Sequence, residues 1–166
     1  MIKGSYILVL GLLEGQDITV GSLGSINFSG GYYAYVGSAL GGLETRLNRH
    51  LRRDKKLHWH IDYLLKKATI NNIITCRTGE RIECDITQTL GRRFESVLGF
   101  GSSDCKCRSH LFFSTGEMEQ EILEELYSLG VETGLKKVAT EEDSVVIRSG
   151  DYITDGPGRE GYVFFC

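Results

Sequence analysis

The chain contains a single proline, Pro157, in 166 residues, and it has no proline-rich tract that would form an extended linker. It also lacks an internal repeat and any low-complexity segment. The apolar stretch from Tyr6 to Leu13 is far shorter than the roughly 18 residues that a membrane span needs. This stretch contains Gly11 and is followed by no small-residue cleavage site, so it does not have the pattern of a secretory signal. We therefore expect a cytoplasmic protein without a membrane span.

Cysteine is scarce and odd in number, with five residues in the whole chain. A secreted scaffold held by disulfides would be shorter and richer in cysteine. Reduced thiols or a metal site fit this composition better. The five are Cys76, Cys84, Cys105, Cys107 and Cys166.

Charge is distributed unevenly along the chain, although the net charge is only −3. Residues 1–115 carry 15 Lys and Arg against 10 Asp and Glu, whereas residues 116–166 carry 4 against 12. The basic part could meet a polyanion, and the acidic part could contact a protein partner or shield the basic surface. Solvated surface is the plain alternative for both. We predict a core of residues 1–115 and a small acidic extension of residues 116–166.

Hydrophobic periodicity predicts an α+β protein. In the predicted helix Leu43–Arg53, leucines recur every four residues and define a buried stripe. Two further helices, a central first strand and a C-terminal helix with a β-hairpin complete the prediction. The predicted strands are Gly4–Leu12, Gln16–Ile26, Tyr32–Gly37, Ala68–Arg77 and His110–Ser114; the other helices are Trp59–Lys67, Glu83–Leu90 and Met118–Leu129; the hairpin is Ser144–Cys166.

Several motifs occur in a specific order. Gly4-Ser5-Tyr6 lies in the first strand, YVGSALGG begins at Tyr35, and RLNRH begins at Arg46. HWHIDYLL, an EC pair at Glu83 and GFGSSDCKCRSHLF follow. Together these motifs resemble the GIY-YIG endonuclease superfamily, in the wording of its Uri-type branch, over roughly residues 4–114. The resemblance implies a small central antiparallel sheet flanked by helices.

The resemblance also implies roles for individual residues. Tyr6 and Tyr35 would line a cleft, and one of them would act as general base, directly or through water. Arg46 would bind the scissile phosphate, and Glu83 would hold one Mg²⁺ or Mn²⁺ ion. Four departures weigh on the base and the efficiency more than on the fold, and one of them is an extra residue, Gly42 or a neighbour, before Leu43. Ser5 replaces an Ile, Ser38 stands where many members have Lys, and the long separation of the tyrosine motifs requires an inserted hairpin.

These residue types suit phosphodiester cleavage. An Arg46 guanidinium offers a planar fork of donors to two phosphate oxygens, which lysine cannot match. A free tyrosine has a pKa near ~10, so it becomes a useful base only where Arg46 or a metal lowers that pKa. Mg²⁺ prefers oxygen ligands and keeps several waters, so the single carboxylate of Glu83 can suffice. The structural alternatives are a solvated arginine, two core aromatics and an acid at a helix N-terminus.

A basic patch surrounds this motif, and two histidines follow it. Arg49, His50 and Arg53 are predicted to contact substrate, because non-specific affinity for nucleic acid comes largely from such charges. His58 and His60 flank Trp59, and we predict that they contact substrate or act structurally rather than bind a metal. A solvated helix face is the alternative for each cation.

A second cluster combines Cys105, Cys107 and His110. An extended Cys-x-Cys places both sulfurs on one side of the chain, and His110 could close around the same ion. Tetrahedral Zn²⁺ needs four ligands, and Cys84 is the candidate for the fourth. Free cysteines packed against the sheet are the alternative reading.

The leading prediction is a Mg²⁺- or Mn²⁺-dependent endonuclease acting on DNA rather than RNA, in repair or processing. One alternative is a nucleic-acid-binding module with weak or no turnover. The other is a zinc-stabilised interaction protein whose acidic extension docks a protein partner.

Overall fold

The computed structural model describes residues 1–138. In chain order its elements are β1 (Gly4–Leu12), β2 (Gln16–Thr19), β3 (Ser25–Phe28), β4 (Gly31–Ala39), α1 (Leu43–Leu51), α2 (His60–Leu64), β5 (Thr69–Arg77), α3 (Glu83–Gly91), β6 (Glu95–Ser96), β7 (Leu111–Ser114), α4 (Glu119–Ser128) and β8 (Thr133–Lys137).

Six of the strands form one antiparallel sheet in the order β6-β7-β4-β1-β5-β8. The β1 strand is central, as predicted, and pairs with β4 on one side and β5 on the other. Helices cover both faces of this sheet, which confirms the predicted α+β class with a central antiparallel sheet. No helix within residues 1–138 is long and apolar enough to cross a membrane.

Alternation along the strands divides the core into two clusters. Tyr6, Leu8 and Leu10 of β1 point to one face, where they pack with α1, α2 and the β2–β3 hairpin. Ile7 and Val9 point to the other face, where they pack with α3 and α4. This two-residue period follows from the pleat of a strand that is buried on both faces. We call these surfaces of the sheet the α1/α2 face and the α3/α4 face.

A hairpin lies between the two tyrosine motifs. Strands β2 and β3 pair with each other in a separate two-stranded sheet, so the segment predicted as the strand Gln16–Ile26 forms two strands, and the interpretation of this hairpin as an insertion stays a prediction. Ile18, Val20 and Phe28 anchor the hairpin in the core of the α1/α2 face. The hairpin thus adds to the layer that covers the α1/α2 face, and the pairing of β1 with β4 is not interrupted.

The extension predicted to begin at residue 116 contributes to the same sheet. Strand β8 pairs with β5, and Ile122 and Leu126 of α4 are buried on the α3/α4 face. The division near residue 115 therefore does not coincide with a break in the sheet, and a separate extension stays a prediction. The predicted hairpin at Ser144–Cys166 lies outside the described residues.

Two predicted helices end earlier in the structure. Helix α1 stops at Leu51, because Arg52 already has an extended backbone. Helix α2 covers only His60–Leu64 instead of Trp59–Lys67. The N–H groups of the following lysines bond to carbonyls three residues back, so this segment is a tight turn.

Candidate functional site

The two tyrosines of the motifs come from neighbouring strands and meet on the α1/α2 face. Tyr6 lies on β1 opposite Gly37, and Tyr35 lies on β4, with 6.5 Å between the ring centroids. A Cβ atom at Gly37 would overlap the Tyr6 hydroxyl, so this strand position requires glycine. Both rings are buried, and only Tyr35 retains 9% exposure.

Tyr6 shares a buried hydrogen bond with His50, with 2.6 Å between Oη and Nε2. Burial raises the pKa of both tyrosines and lowers the pKa of His50 to about 3. The charge of Arg46 acts against this rise at both phenols but is outweighed by burial. The charge of Arg46 alone therefore does not bring the pKa of either tyrosine below its ordinary value.

His50 was predicted to contact substrate, but it lies on the buried side of α1 and is only 3% exposed. It follows Arg46 by one helical turn and faces the core together with Leu43 and Leu47. Its Nδ1 atom has no hydrogen-bond partner among the described residues. Its neutral ring is thus part of the buried site around Tyr6, and this prediction is corrected.

Arg46 is half-buried and lies over the ring of Trp59, with its Cζ atom 4.3 Å from the ring centroid. Arg49 also contacts this ring, at 4.0 Å. Aromatic faces attract guanidinium groups, so Trp59 restrains both arginines beside the tyrosines. Trp59 itself is the residue directly before α2, where its backbone N–H donates to Asp62.

The Asp62 carboxylate holds Arg49 and the residues directly before α2 in place through hydrogen bonds. Both of its oxygens accept hydrogen bonds from Arg49, each at 2.9 Å, and Oδ2 also accepts the backbone N–H groups of His58 and Trp59. Burial opposes the charge, but these donors lower the pKa of Asp62 to about 2. Arg49, predicted as a substrate contact, is thus half of a bidentate ion pair with a fully buried carboxylate.

The other residues that were predicted to contact substrate, Arg53, His58 and His60, lie at different positions around α2. Arg53 is exposed after the end of α1, and the side chain of His58 is also exposed. His58 is linked to Asp62 through its backbone N–H, which donates to the carboxylate at 2.9 Å. His60 packs against Phe100 and accepts a 2.9 Å hydrogen bond at Nδ1 from the Gly101 N–H. His60 is thus a structural residue that links α2 to the segment of Phe100 and Gly101. The substrate contacts of Arg53 and His58 stay predictions.

Glu83 is the first residue of α3, where the sequence predicts it. Its Oε2 atom is buried and has no hydrogen-bond partner among the described residues. A buried carboxylate oxygen without a donor is costly unless a cation binds it. Asp85 is exposed on the same helix and points away from this position.

The second predicted cluster is confirmed as an arrangement of four ligands. One ligand atom from each residue lies within 4.8 Å of all the others, so the cluster could hold a metal ion. We call it the Cys3His cluster. No disulfide joins cysteines within residues 1–138. Its members are Cys84, Cys105, Cys107 and His110.

Hydrogen bonds orient the ligands of the Cys3His cluster. The Nδ1 atom of His110 lies 3.0 Å from the carbonyl of Val36, which fixes the proton on Nδ1 and directs the lone pair of Nε2 to the sulfurs. That Nε2 is 3.2 Å from the Sγ atom of Cys105. Thr87 donates to Cys107 at 3.4 Å. Against the effect of burial, hydrogen bonds from Thr87 and the two neighbouring thiols lower the pKa of Cys107.

Trp59 and Asp62 are the residues of this candidate site to which the motifs assigned no role. Their three-residue spacing around a helix start is a capping arrangement, which sequence can indicate. The contact of Trp59 with two arginines of α1 could not be read from that spacing. It depends on how α1 and α2 pack against each other.

A family model described as "Domain of unknown function DUF123" matches residues 5–131. The chain belongs to this family. The match includes both tyrosines, the arginine helix, the Cys3His cluster and α4, so it extends across the predicted division at residue 115. Neither the comparison with curated proteins nor the comparison with solved structures finds a match.

Proposed function

We propose that this protein is a metal-dependent endonuclease that hydrolyses phosphodiester bonds in DNA. One observation carries the proposal: Arg46 is restrained on Trp59 beside two buried tyrosines that come from neighbouring strands. A half-buried guanidinium next to phenolic hydroxyls suits a phosphate group better than it suits an apolar ligand.

The chain's own groups divide the work of binding. Arg46 donates to two oxygens of the scissile phosphate and offsets the charge that builds up there during cleavage. The hydroxyl of Tyr35, which keeps 9% exposure, orients the attacking water and stays protonated because burial raises its pKa, while Tyr6 supports it from the buried side through its hydrogen bond to His50. Exposed Arg53 and Lys56 contact neighbouring phosphates of the nucleic-acid strand.

Glu83 would hold the Mg²⁺ or Mn²⁺ ion that the family resemblance implies. Its unpartnered, buried Oε2 atom fits this role, because a hard cation would satisfy the oxygen. Such an ion would supply Lewis-acid stabilisation of the phosphate oxygens. Binding of the phosphates and orientation of the attacking water are carried out by side chains of this protein.

The test is cleavage of labelled single-stranded, duplex, flap and branched DNA, with labelled RNA alongside, in the presence of Mg²⁺ or Mn²⁺. We expect Arg46→Ala to reduce cleavage by about a hundredfold to a thousandfold, as loss of a transition-state donor does. Glu83→Gln should abolish the metal-dependent cleavage. The control is Arg93→Ala, which removes an arginine that pairs with α4 on the other side of the sheet.

Three results would change the proposal. Salt-sensitive binding of DNA without cleavage would favour a binding module that has lost turnover. Cleavage of RNA alone would keep the reaction and change the substrate. Cleavage that persists in both Arg46→Ala and Glu83→Gln would indicate a contaminating nuclease.

We also propose that the Cys3His cluster binds Zn²⁺. Three thiols and one imidazole within 4.8 Å are the soft donors and the number that tetrahedral zinc takes. Metal analysis of the purified chain should find about one zinc per molecule. A chain of unchanged stability after complete zinc removal would count against a structural zinc and against the zinc-stabilised interaction protein.

A further inference from the structure

Glu83 and Cys84 are consecutive residues in the first turn of α3. The residue before them, Ile82, makes no side-chain capping hydrogen bond, so no N-cap side chain anchors this end of the helix. A metal bond to Cys84 would therefore fix the same turn that carries the Glu83 carboxylate.

His110, on the other side of the cluster, belongs to the structure around Tyr35. Its backbone carbonyl accepts the N–H of Val36 at 2.9 Å, and its Nδ1 atom is 3.0 Å from the Val36 carbonyl. Val36 directly follows Tyr35 on β4. His110 is thus hydrogen-bonded to the strand at the residue next to Tyr35.

The loop that carries Cys105 and Cys107 also contacts the site. Phe100, near its start, packs edge-on against Tyr35 with 6.2 Å between the ring centroids. The N–H of His110 donates to the Phe100 carbonyl at 2.7 Å, and this joins the two ends of the loop. One ion would therefore bind α3, this loop and the end of the loop beside β4.

We infer that a metal ion in the Cys3His cluster is a positioning device that fixes Glu83 relative to Tyr35. Cys84 connects the ion to the turn of Glu83, while His110 connects it to the strand of Tyr35. Hydrogen bonds of Cys107 with Thr87, at 3.4 Å, and with the Cys84 thiol already join the loop to α3, and an ion would replace the thiol contact with metal bonds to both cysteines. The inference rests on the proposed function for the role of Glu83 and on the four ligands for the ion itself.

The experiment compares the zinc-loaded full chain, the same chain after zinc withdrawal by a chelator, and the chain after zinc is added back. Mn²⁺ binding is followed by the resonance signal of free Mn²⁺, with Glu83→Gln as the reference for lost binding. We expect zinc withdrawal to weaken Mn²⁺ binding about tenfold or more, the range for loss of a supporting group around a metal site. Added zinc should restore the affinity.

Two alanine variants provide a matched pair. Cys107→Ala removes a ligand, whereas Cys76→Ala removes a buried thiol of β5 that is outside the cluster. Cys107→Ala should lose zinc and bind Mn²⁺ as weakly as the zinc-depleted chain. Cys76→Ala should retain both metals. If Cys107→Ala does not fold, the reversible zinc withdrawal from the unaltered chain still decides the question.

Hydrogen exchange gives a readout that does not depend on nuclease activity. Zinc withdrawal should speed exchange in residues 82–87 and in residues 98–110 together, while β1 stays protected. Zinc that leaves without changing Mn²⁺ affinity or this exchange would overturn the inference, as would a chain that never holds zinc. If the zinc-loaded chain does not bind Mn²⁺, the nuclease proposal fails, and the paired change in exchange alone decides the inference.

Discussion

The two faces of the sheet are built from different kinds of side chain. The α1/α2 face buries a phenol, an imidazole and a carboxylate, namely Tyr6, His50 and Asp62. The α3/α4 face is packed mainly with aliphatic residues such as Leu90 and Ile122. Burying polar and charged groups is costly unless they are fully paired, and aliphatic packing alone stabilises a core. The comparison teaches that the α1/α2 face depends on pairing of its buried polar groups, as Arg49 pairs with Asp62, and this is the face that carries Arg46 and the two tyrosines.

The largest expected effect on stability is that of Asp62→Asn. The substitution removes a fully buried charge and leaves Arg49 with a neutral amide in place of a bidentate partner. Breaking a buried ion pair in this way lowers the free energy of unfolding by about 3–5 kcal/mol. Urea unfolding measures the loss. The fluorescence of Trp59, the one tryptophan of the chain, should change at the same time.

Leu90→Ala on the other face is the control. It creates a cavity in an aliphatic core and costs about 2–5 kcal/mol, so its effect on stability is similar in size. Because Leu90 lies across the sheet from Trp59, the fluorescence of the folded variant should not change. Equal fluorescence changes in both variants would contradict the distinction between the two faces.

The second prediction concerns pH and the buried His50. Its folded-state pKa is lowered to about 3, below the ordinary value of 6.5, so the unfolded chain binds more protons between these values. Stability is therefore fully present above about pH 6.5 and falls as pH decreases, by at most about 1.4 kcal/mol per unit. His60, whose pKa burial also lowers, acts in the same direction.

Urea unfolding of the parent and of His50→Gln across the range from about pH 7 to about pH 4.5 isolates the contribution of His50. The slope of stability against pH should be shallower in the variant. Asp62 does not contribute to the slope in this range, because its lowered pKa affects stability only at more acidic pH. A variant with the parent's slope would show that His50 is not the group responsible.

A smaller effect is expected for Trp59→Leu. The change keeps an apolar side chain but removes the ring beneath Arg46 and Arg49. Loss of these contacts should lower the free energy of unfolding by about 1 kcal/mol, and DNA cleavage should fall by more than stability explains. Trp59→Phe, which keeps an aromatic face, is the matched control. Equal activity in the two variants would show that the ring does not position Arg46.

Local patterns in the sequence predicted most of the fold. The leucine period of α1, the β-rich runs of β1 and β5 and the positions of α3 and α4 all follow from spacing that one segment contains. Strand β8 was missed, because Thr-Gly-Leu-Lys-Lys lacks both alternation and β-branched residues beyond one threonine. It lies at the edge of the sheet, where lysines are common, and pairing with β5 rather than local propensity makes it a strand.

The sequence predicted which residues belong to the candidate site, but not which residues they pair with. The four ligands of the Cys3His cluster could be collected from the sequence because cysteine and histidine are few. Arg49 was predicted to be free for substrate, yet it pairs with Asp62, which lies 13 residues further on. That pair depends on the packing of α1 against α2, and no local period encodes it.

The smallest effect should come from Arg93→Gln on the α3/α4 side. Arg93 faces three carboxylates of α4, at 2.7 Å from Glu121, 3.0 Å from Glu125 and 3.5 Å from Glu124. Its pairs are therefore more numerous than the single pair of Arg49, but the partner carboxylates are up to 55% exposed, whereas Asp62 is fully buried. Water and salt screen exposed pairs, so the unfolding midpoint should shift by no more than the error of the measurement. A loss as large as that of Asp62→Asn would mean that the number of ion pairs, rather than their burial, decides their contribution in this protein.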